Sequence, residues 1–413
     1  MSMRNVQIFD VIVIGGGAAG MFAAIHAGRA GKKVALLEPN GRLGKKLLIT
    51  GKGRCNVTNH CSAEEILRNI PRNGKFLYSA MNGCDPSSVM AFFESAGCPL
   101  KTERGNRVFP VSDQSATVLN ALQEQLKKAA VRIFWVRAMK ITADDTGVTG
   151  VQTEQGFIAA KHVILATGGM SYPATGSTGD GYTMAKELGH TVVEPEGSLV
   201  PLETLGRDCQ DMQGLSLRNV GVKLLDGKGK VLYKDFGELL FTHFGVSGPL
   251  VLSASAHMRS FDKCRYRLEI DLKPALDEKK LDARLLRDFE KYANREFKNA
   301  LNDLAGQTMI PTLIRLSGIP EDTRVNSITR AQRMALLHLL KAFPVSVSGT
   351  RPIDEAIVTS GGVCTREINP RTMESKLVSG LYFAGEVLDL DGYTGGFNLQ
   401  IAWSTGYVAG NSV

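Results

Sequence analysis

Gly15, Gly17 and Gly20 close the apolar run Asp10-Val-Ile-Val-Ile14, with the spacing of a loop that cradles a dinucleotide. Gly15 allows the tight turn, Gly17 lets the backbone approach a pyrophosphate, and Gly20 permits close packing of helix on strand. Ala18 and Ala19 complete the turn, so the first amides and the dipole of the following helix point at the phosphates. Glu38 stands 18 residues past Gly20, at the end of a second apolar segment, where a carboxylate accepts from the ribose hydroxyls of the adenosine half. The competing reading, a glycine turn that serves packing alone, is the weaker one in this full context.

Three further segments favour FAD over NAD. Residues 41–59 form a glycine-rich, basic loop too long for a mere connection, and Lys46, Gly53, Arg54, Cys55 and Asn56 are its candidate cofactor contacts. Thr167, Gly168 and Gly169 make a returning turn after a strand. Gly385-Glu386 then ends another strand, and Gly395-Gly396-Phe397-Asn398-Leu399-Gln400 opens a final helix. A second acidic group suits ribityl hydroxyls. A second helix N-terminus suits the pyrimidine end of an isoalloxazine ring, where negative charge builds as a hydride arrives. FAD has both features and NAD has neither.

The elements that must hold these residues follow from the pattern. Residues 6–14 predict a buried strand, 18–30 a small-residue helix and 33–38 a second strand, a succession of about 30 residues that matches one right-handed crossover unit. Ser62 with Glu65 predicts a capping box, Asp85-Pro86 a helix start, and residues 112–130 a third helix. Residues 131–165 predict a small antiparallel meander. Strands continue from 191 to 271, with a hairpin at Asp226-Gly-Lys-Gly229, as a separate β domain of sandwich or barrel type. Residues 274–343 predict helices, and 351–413 return to strand, glycine turn and helix. The fold class is α/β, a doubly wound FAD-binding domain split by an insertion. The expected boundaries are 1–193 with 356–413 for that domain, 194–273 with 344–355 for the β domain, and 274–343 for a helical insert.

Composition excludes several classes. With 413 residues, 43% hydrophobic and 22% charged, the chain is globular rather than disordered. No uncharged apolar stretch reaches the roughly 18–20 residues that cross a bilayer, and no signal peptide is evident. Seven cysteines without an export signal fit a reducing compartment, so the expected location is cytoplasmic. The net charge of +8 has no Lys or Arg run longer than two behind it, which favours an anionic ligand over nucleic acid. Residues 276–298 carry seven basic and six acidic side chains, the balance of a solvated face.

Four motifs carry a resemblance across nearly the whole chain: Thr50-Gly-Lys-Gly-Arg-Cys-Asn-Val-Thr-Asn59, Ala166-Thr-Gly-Gly-Met-Ser-Tyr-Pro173, Phe241-Thr-His-Phe-Gly-Val-Ser-Gly-Pro249, and Thr359-Ser-Gly-Gly-Val363 through Gly406. In them the sequence resembles the bacterial NAD(P)/FAD-dependent oxidoreductases grouped with aminoacetone oxidase and the bile-acid enone reductases. The resemblance implies a non-covalent FAD domain, a β-barrel-like domain inserted into it, and a small helical domain inserted into the barrel. It implies electron or hydride exchange with a small organic substrate, by amine oxidation or enone reduction.

His243 and Ser247, in a glycine-flanked segment, are candidates for the substrate side, against the commoner reading of a structural histidine. Cys55 has no CxxC partner, which argues against a dithiol relay, and Cys364 reads as a small buried thiol. Arg54 and Arg107 are candidates for phosphates or an anionic substrate. No His and Cys cluster has metal spacing. A second GxGxxG is absent, so either NAD(P)H binds transiently as electron donor, or the substrate reduces FAD and dioxygen reoxidises it. A tRNA-binding, tRNA-modifying flavoprotein is the alternative from another class, with the balanced charge of 276–298 against it.

Overall fold

The computed structural model describes residues 8–258, 261 and 265–413. They divide into two compact units, one running to Ser198 and resuming at Ile353, the other spanning Leu199–Pro352.

The first unit opens with β1 (Ile8–Ile14), α1 (Ala18–Arg29) and β2 (Val34–Leu37). Val6, expected to begin the first strand, lies outside the described residues. From Val11 to Ile14 every residue of β1 is buried, as a central parallel strand covered on both faces requires. There follow α2 (Lys45–Ile49), β3 (Thr58–Asn59), α3 (Ala63–Arg68), α4 (Tyr78–Gly83) and α5 (Pro86–Ser95). The expected caps form: Ser62 Oγ accepts from the Glu65 amide at 3.2 Å, and Asp85 Oδ1 from the Ser88 amide at 2.8 Å, with Pro86 in the first turn. β4 (Leu100–Glu103) and β5 (Arg107–Pro110) make a small antiparallel sheet with β3, and α6 (Ser115–Lys128) follows.

β6 (Arg132–Phe134), β7 (Ala138–Asp144), β8 (Gly147–Thr153) and β9 (Gly156–Leu165) complete the large sheet, whose order is β6-β2-β1-β9-β8-β7. The expected meander is β7-β8-β9, whereas β6 pairs in parallel with β2 at the far edge. The first unit continues through α7 (Asp180–Glu187) and β10 (Val192–Ser198).

The second unit is a closed barrel with helices on it. Its elements are β11 (Leu202–Thr204), α8 (Asp208–Asp211), β12 (Ser216–Leu225), β13 (Val231–Phe241), β14 (Gly245–Ser247), α9 (Pro249–Ser255), β15 (Tyr266–Asp271), α10 (Glu278–Lys291), α11 (Phe297–Ala300), α12 (Ile310–Ser317), α13 (Arg330–Lys341) and β16 (Phe343–Thr350). The barrel order is β11-β14-β13-β12-β15-β16, closed by β11 on β16. Alternation decides which side chains enter it: Phe343, Val345 and Val347 of β16 are buried while Pro344, Ser346 and Ser348 are exposed. The helical segment shares this core, with Leu281, Leu285 and Leu337 in one cluster with Leu268 and Phe343. The hairpin at Asp226–Gly229 forms between β12 and β13.

The chain returns to the first unit as β17 (Val358–Val363), β18 (Leu381–Phe383) and α14 (Phe397–Ser412). β10, expected to begin the β domain, pairs instead with β17 in this unit. On the edge opposite β1, β9 is long enough to serve two partners: its first half pairs with β8 and its last three residues with β18. α14 lies directly on α1. A Cβ built on Gly406 would stand 2.6 Å from Ala19 O, and one on Gly410 2.4 Å from Ala23 O, so the two helices touch backbone to backbone. Trp403, fully buried, adds its Nε1 bond to Val57 O at 2.8 Å.

Candidate active site

The three fingerprint glycines have different reasons to be glycine. A Cβ on Gly15 would stand 2.5 Å from Ala166 O, and one on Gly20 only 1.9 Å from Gly15 O, so both are demanded by packing. Gly17 has φ −80° and ψ −170°, which any residue adopts, and a Cβ there would meet nothing within 4 Å. The protein therefore leaves an open cradle at the N-terminus of α1, beside the helix dipole, which fits a pyrophosphate. Ala18 and Ala19 follow; Ala19 is buried, and its Cβ faces Gly385.

Glu38, 7% exposed, closes this turn. Its Oε2 accepts from the Gly16 amide and its Oε1 from the Asn40 amide, both at 2.9 Å, while Asn40 Nδ2 donates to Oε1 at 2.6 Å. The carboxylate expected to meet a ribose is thus also a strut of the glycine loop.

Glu386, 340 residues on from Lys46, is the hub of the opposite side. Its carboxylate accepts from Lys46 Nζ at 2.8 and 3.0 Å, from the Thr359 amide at 2.8 Å and from Ser171 Oγ at 3.2 Å. Thr359 Oγ1 accepts from the amides of Met170 and Ser171. Gly169 sits against this knot, since a Cβ there would be 2.3 Å from Thr359 Oγ1. Gly168 has φ +78°, and Thr167 Oγ1 is buried with no hydrogen-bond partner in the protein. Gly385, at φ +77°, donates its amide to Thr405 Oγ1 of α14 at 2.9 Å.

The start of α14 corrects part of the sequence reading. Gly396 has φ +101°, and a Cβ there would stand 2.4 Å from Thr58 C and O, so this glycine is fixed by the backbone of β3. Gly395, at φ +126°, accepts on its carbonyl from Asn59 Nδ2 at 3.0 Å. Gln400 faces inward: Thr58 Oγ1 donates to its Oε1, its Nε2 donates to Cys84 O and Ser404 Oγ, and its amide is already bonded to Gly396 O. Asn398 is tied to Gly392 and Tyr393. The groups that the helix end leaves for a ligand are the backbone amides of Phe397, Asn398 and Leu399.

The loop before β3 is similarly divided. Gly53 opens to free space, with nothing within 4 Å of an added Cβ. Arg54 pairs with Glu103 and Asp113, both at 2.5 Å, and lies over Phe109, so its charge is already matched inside the small sheet rather than held free for a phosphate. Cys55 is fully buried at φ +62°, and burial pushes its thiol up to about 12, towards the neutral form. Asn56 Oδ1 is buried with no acceptor partnership in the protein. Open glycine, helix amides and orphaned buried oxygen together fit the polar contour of FAD.

A family model described as the HI0933-like protein Rossmann domain matches residues 9–412. The chain belongs to this HI0933-like family. It is 33% identical over 415 residues to a 3-dehydro-bile acid delta(4,6)-reductase of Clostridium scindens, covering 97% of this chain and 98% of that protein. It is 30% identical over 409 residues to a ribosomal RNA dihydrouridine synthase of Escherichia coli, covering 97% of each. Among solved structures, 3-ketosteroid delta1-dehydrogenase of Sterolibacterium denitrificans aligns with a TM-score of 0.51 at 12% identity, over 98% of this chain and 99% of that one. This likeness is one of fold. Like its HI0933-like relatives, the chain is an FAD-dependent oxidoreductase.

In this HI0933-like chain the β-domain candidates are not drawn together. His243 is exposed in the β13–β14 turn, its ring against Phe244, and Ser247 ends β14. No hydrogen bond joins the two side chains among the described residues. Sequence reasoning missed Asn40, Ser171 and Thr359. The last two lie inside motifs that carried the resemblance, but only the folded chain shows that they bind Glu386. No helix of the described residues is long and apolar enough to cross a membrane. No group of His, Cys, Asp or Glu among them is arranged to hold a metal ion.

Proposed function

We propose that this protein reduces a carbon–carbon double bond conjugated to a carbonyl, using FAD held between the α1 and α14 N-termini and NAD(P)H as electron donor. The observation that carries the reading is the near-full-length similarity to two reductases whose substrates look unrelated. A 3-oxo bile acid with 4,6-double bonds and a uracil ring share one reducible unit, an alkene conjugated to C=O. Bound FAD, once reduced by NAD(P)H, would supply the hydride, and the chain supplies orientation, charge and control of access. Gly15, Gly17, Gly20 and Glu38 hold the adenosine and pyrophosphate half, Lys46 and Glu386 face the ribityl chain, and the first amides of α14 face the pyrimidine end.

A small conjugated carbonyl is favoured over RNA because basic groups of the helical segment are already paired. Arg284 binds Asp288, Lys291 binds Asp303 and Arg333 binds Asp282. The second reading, uridine in RNA, rests on the dihydrouridine synthase relatives, which points to ribosomal rather than transfer RNA. Anaerobic reduction with NADPH or NADH, followed by mixing with 4-androstene-3,17-dione or a ribosomal RNA fragment, and separate mixing of the oxidised protein with an amine panel, tests these readings. The dione should reoxidise the flavin. An amine that reduces the flavin, with every conjugated carbonyl inert, overturns the reductase reading.

A further inference from the structure

The segment after α3 carries one arginine into the loop between Glu386 and α14. Arg72 is half-buried, and its Nη2 donates to Ser360 Oγ and to Asp391 Oδ1, the latter at 3.1 Å. Asp391, 1% exposed, also accepts from Ser198 Oγ at 2.7 Å and Ser360 Oγ at 3.0 Å. One nitrogen of the guanidinium is therefore anchored. The other two, Nε and Nη1, are shielded from solvent and meet no acceptor in the protein. Oδ1 of the neighbouring Asp389 likewise meets no donor, while its other oxygen accepts from Asn73 Nδ2 at 2.9 Å. A buried donor without an acceptor is destabilising, so two on one side chain call for an explanation.

The surroundings supply one. Ser360 follows Thr359, whose amide binds Glu386. Asp389 and Asp391 stand between Glu386 and the first turn of α14, and the Tyr393 amide donates to Asn69 O at 2.9 Å. Arg72 is thus built into the segment that joins the two features assigned above to the flavin end of the cofactor.

We propose that Arg72 donates one of its unpaired guanidinium N–H groups, that of Nη1, to the carbonyl oxygen of the substrate, with Asp391 and Ser360 as positioning residues. The inference rests on the reductase reading. In that reaction the β-carbon takes a hydride from the reduced flavin, the alkene electron pair moves through the conjugated system onto the carbonyl oxygen, and a proton then reaches the α-carbon. Between the two events the oxygen is anionic. A fixed guanidinium stabilises that oxygen more than the neutral carbonyl, which is the condition for lowering the barrier. Asp391, paired with the guanidinium, sets its direction.

The probe is 4-chlorophenol, whose ionised oxygen imitates the oxyanion and which gives a long-wavelength charge-transfer band when stacked on oxidised flavin. Full-length, FAD-loaded wild type should bind it as phenolate, with the phenol's apparent pKa lowered. Arg72→Gln should bind it about 10- to 100-fold more weakly, with the apparent pKa restored, at unchanged flavin content. Arg72→Lys, which keeps the charge, should recover part of the loss and serves in its own right if Arg72→Gln does not fold. Equal affinity and pH profile in either folded variant overturns the proposal, as does the absence of a band in wild type. Loss of FAD from both variants also overturns it, by assigning Arg72 to the cofactor. Reoxidation of reduced wild type by 2-cyclohexenone tests the reductase reading separately: Arg72-dependent phenolate binding without enone turnover supports the oxyanion site and rejects that reading.

Discussion

Single residues separate binding from folding at the glycine turn. Gly17 has an ordinary backbone conformation and free space where a side chain would go, so Gly17→Val should change stability by about 1 kcal/mol or less. The same branched side chain fills the cradle. Flavin absorbance of the purified variant should therefore fall sharply while its apoprotein melts as wild type does; full flavin content would contradict the placement. Glu38 behaves oppositely, because its carboxylate serves the fold. Glu38→Ala strands the Gly16 and Asn40 amides and should cost about 1–3 kcal/mol in a denaturant melt, in addition to weakened FAD binding. An unchanged melting midpoint would assign the carboxylate to the ribose alone.

At the α1–α14 contact, close packing opposes helix propensity. Alanine is usually better than glycine inside a helix by up to about 1 kcal/mol, yet Gly410→Ala places a methyl 2.4 Å from Ala23 O. Overpacking should win, with a loss of about 1–3 kcal/mol that thermal melts measure. His26 lies in the same interface, tilted on Phe22 and edge-on to Tyr407, with Nε2 lacking a partner. Burial, with Arg29 adding to it, depresses its pKa from 6.5 to about 4. The folded state thus holds the ring neutral while the unfolded chain protonates near 6.5. Stability is fully present above pH 6.5, falls as pH drops towards 4 by up to about 3 kcal/mol, and then levels off for this group. His26→Leu should flatten that part of the pH–stability curve; an unaltered slope would place the acid sensitivity elsewhere.

The proposed cofactor site draws on both ends of the first unit's sequence. The α1 turn and the Lys46 loop near its start and Glu386 near its end belong to one sheet through β9, which holds β1 on one side and β18 on the other. Ending the chain after Gly380 removes β18, Glu386 and α14 while leaving the glycine fingerprint. Such a protein should lose FAD entirely, and stoichiometric flavin in it would refute the shared site.

The local features were legible in the sequence: the Gly15–Gly20 turn, the caps at Ser62 and Asp85, and the hairpin at Asp226–Gly229. These depend on neighbours a few residues away, where pattern and backbone geometry are tightly coupled. The sequence also offered Glu38, Lys46, Glu386 and the α14 start as candidate cofactor contacts. Only the folded chain shows which protein groups each of them meets. Gln400 and Arg54 found internal partners at Thr58, Cys84, Glu103 and Asp113, and β10 paired with β17 rather than with the barrel. Periodicity reports which face of an element is buried but not which distant polar group will lie opposite it. Arg72 and Asp391, 319 residues apart, are invisible in any local pattern, because a buried ion pair forms only where the folded backbone brings its two charges together.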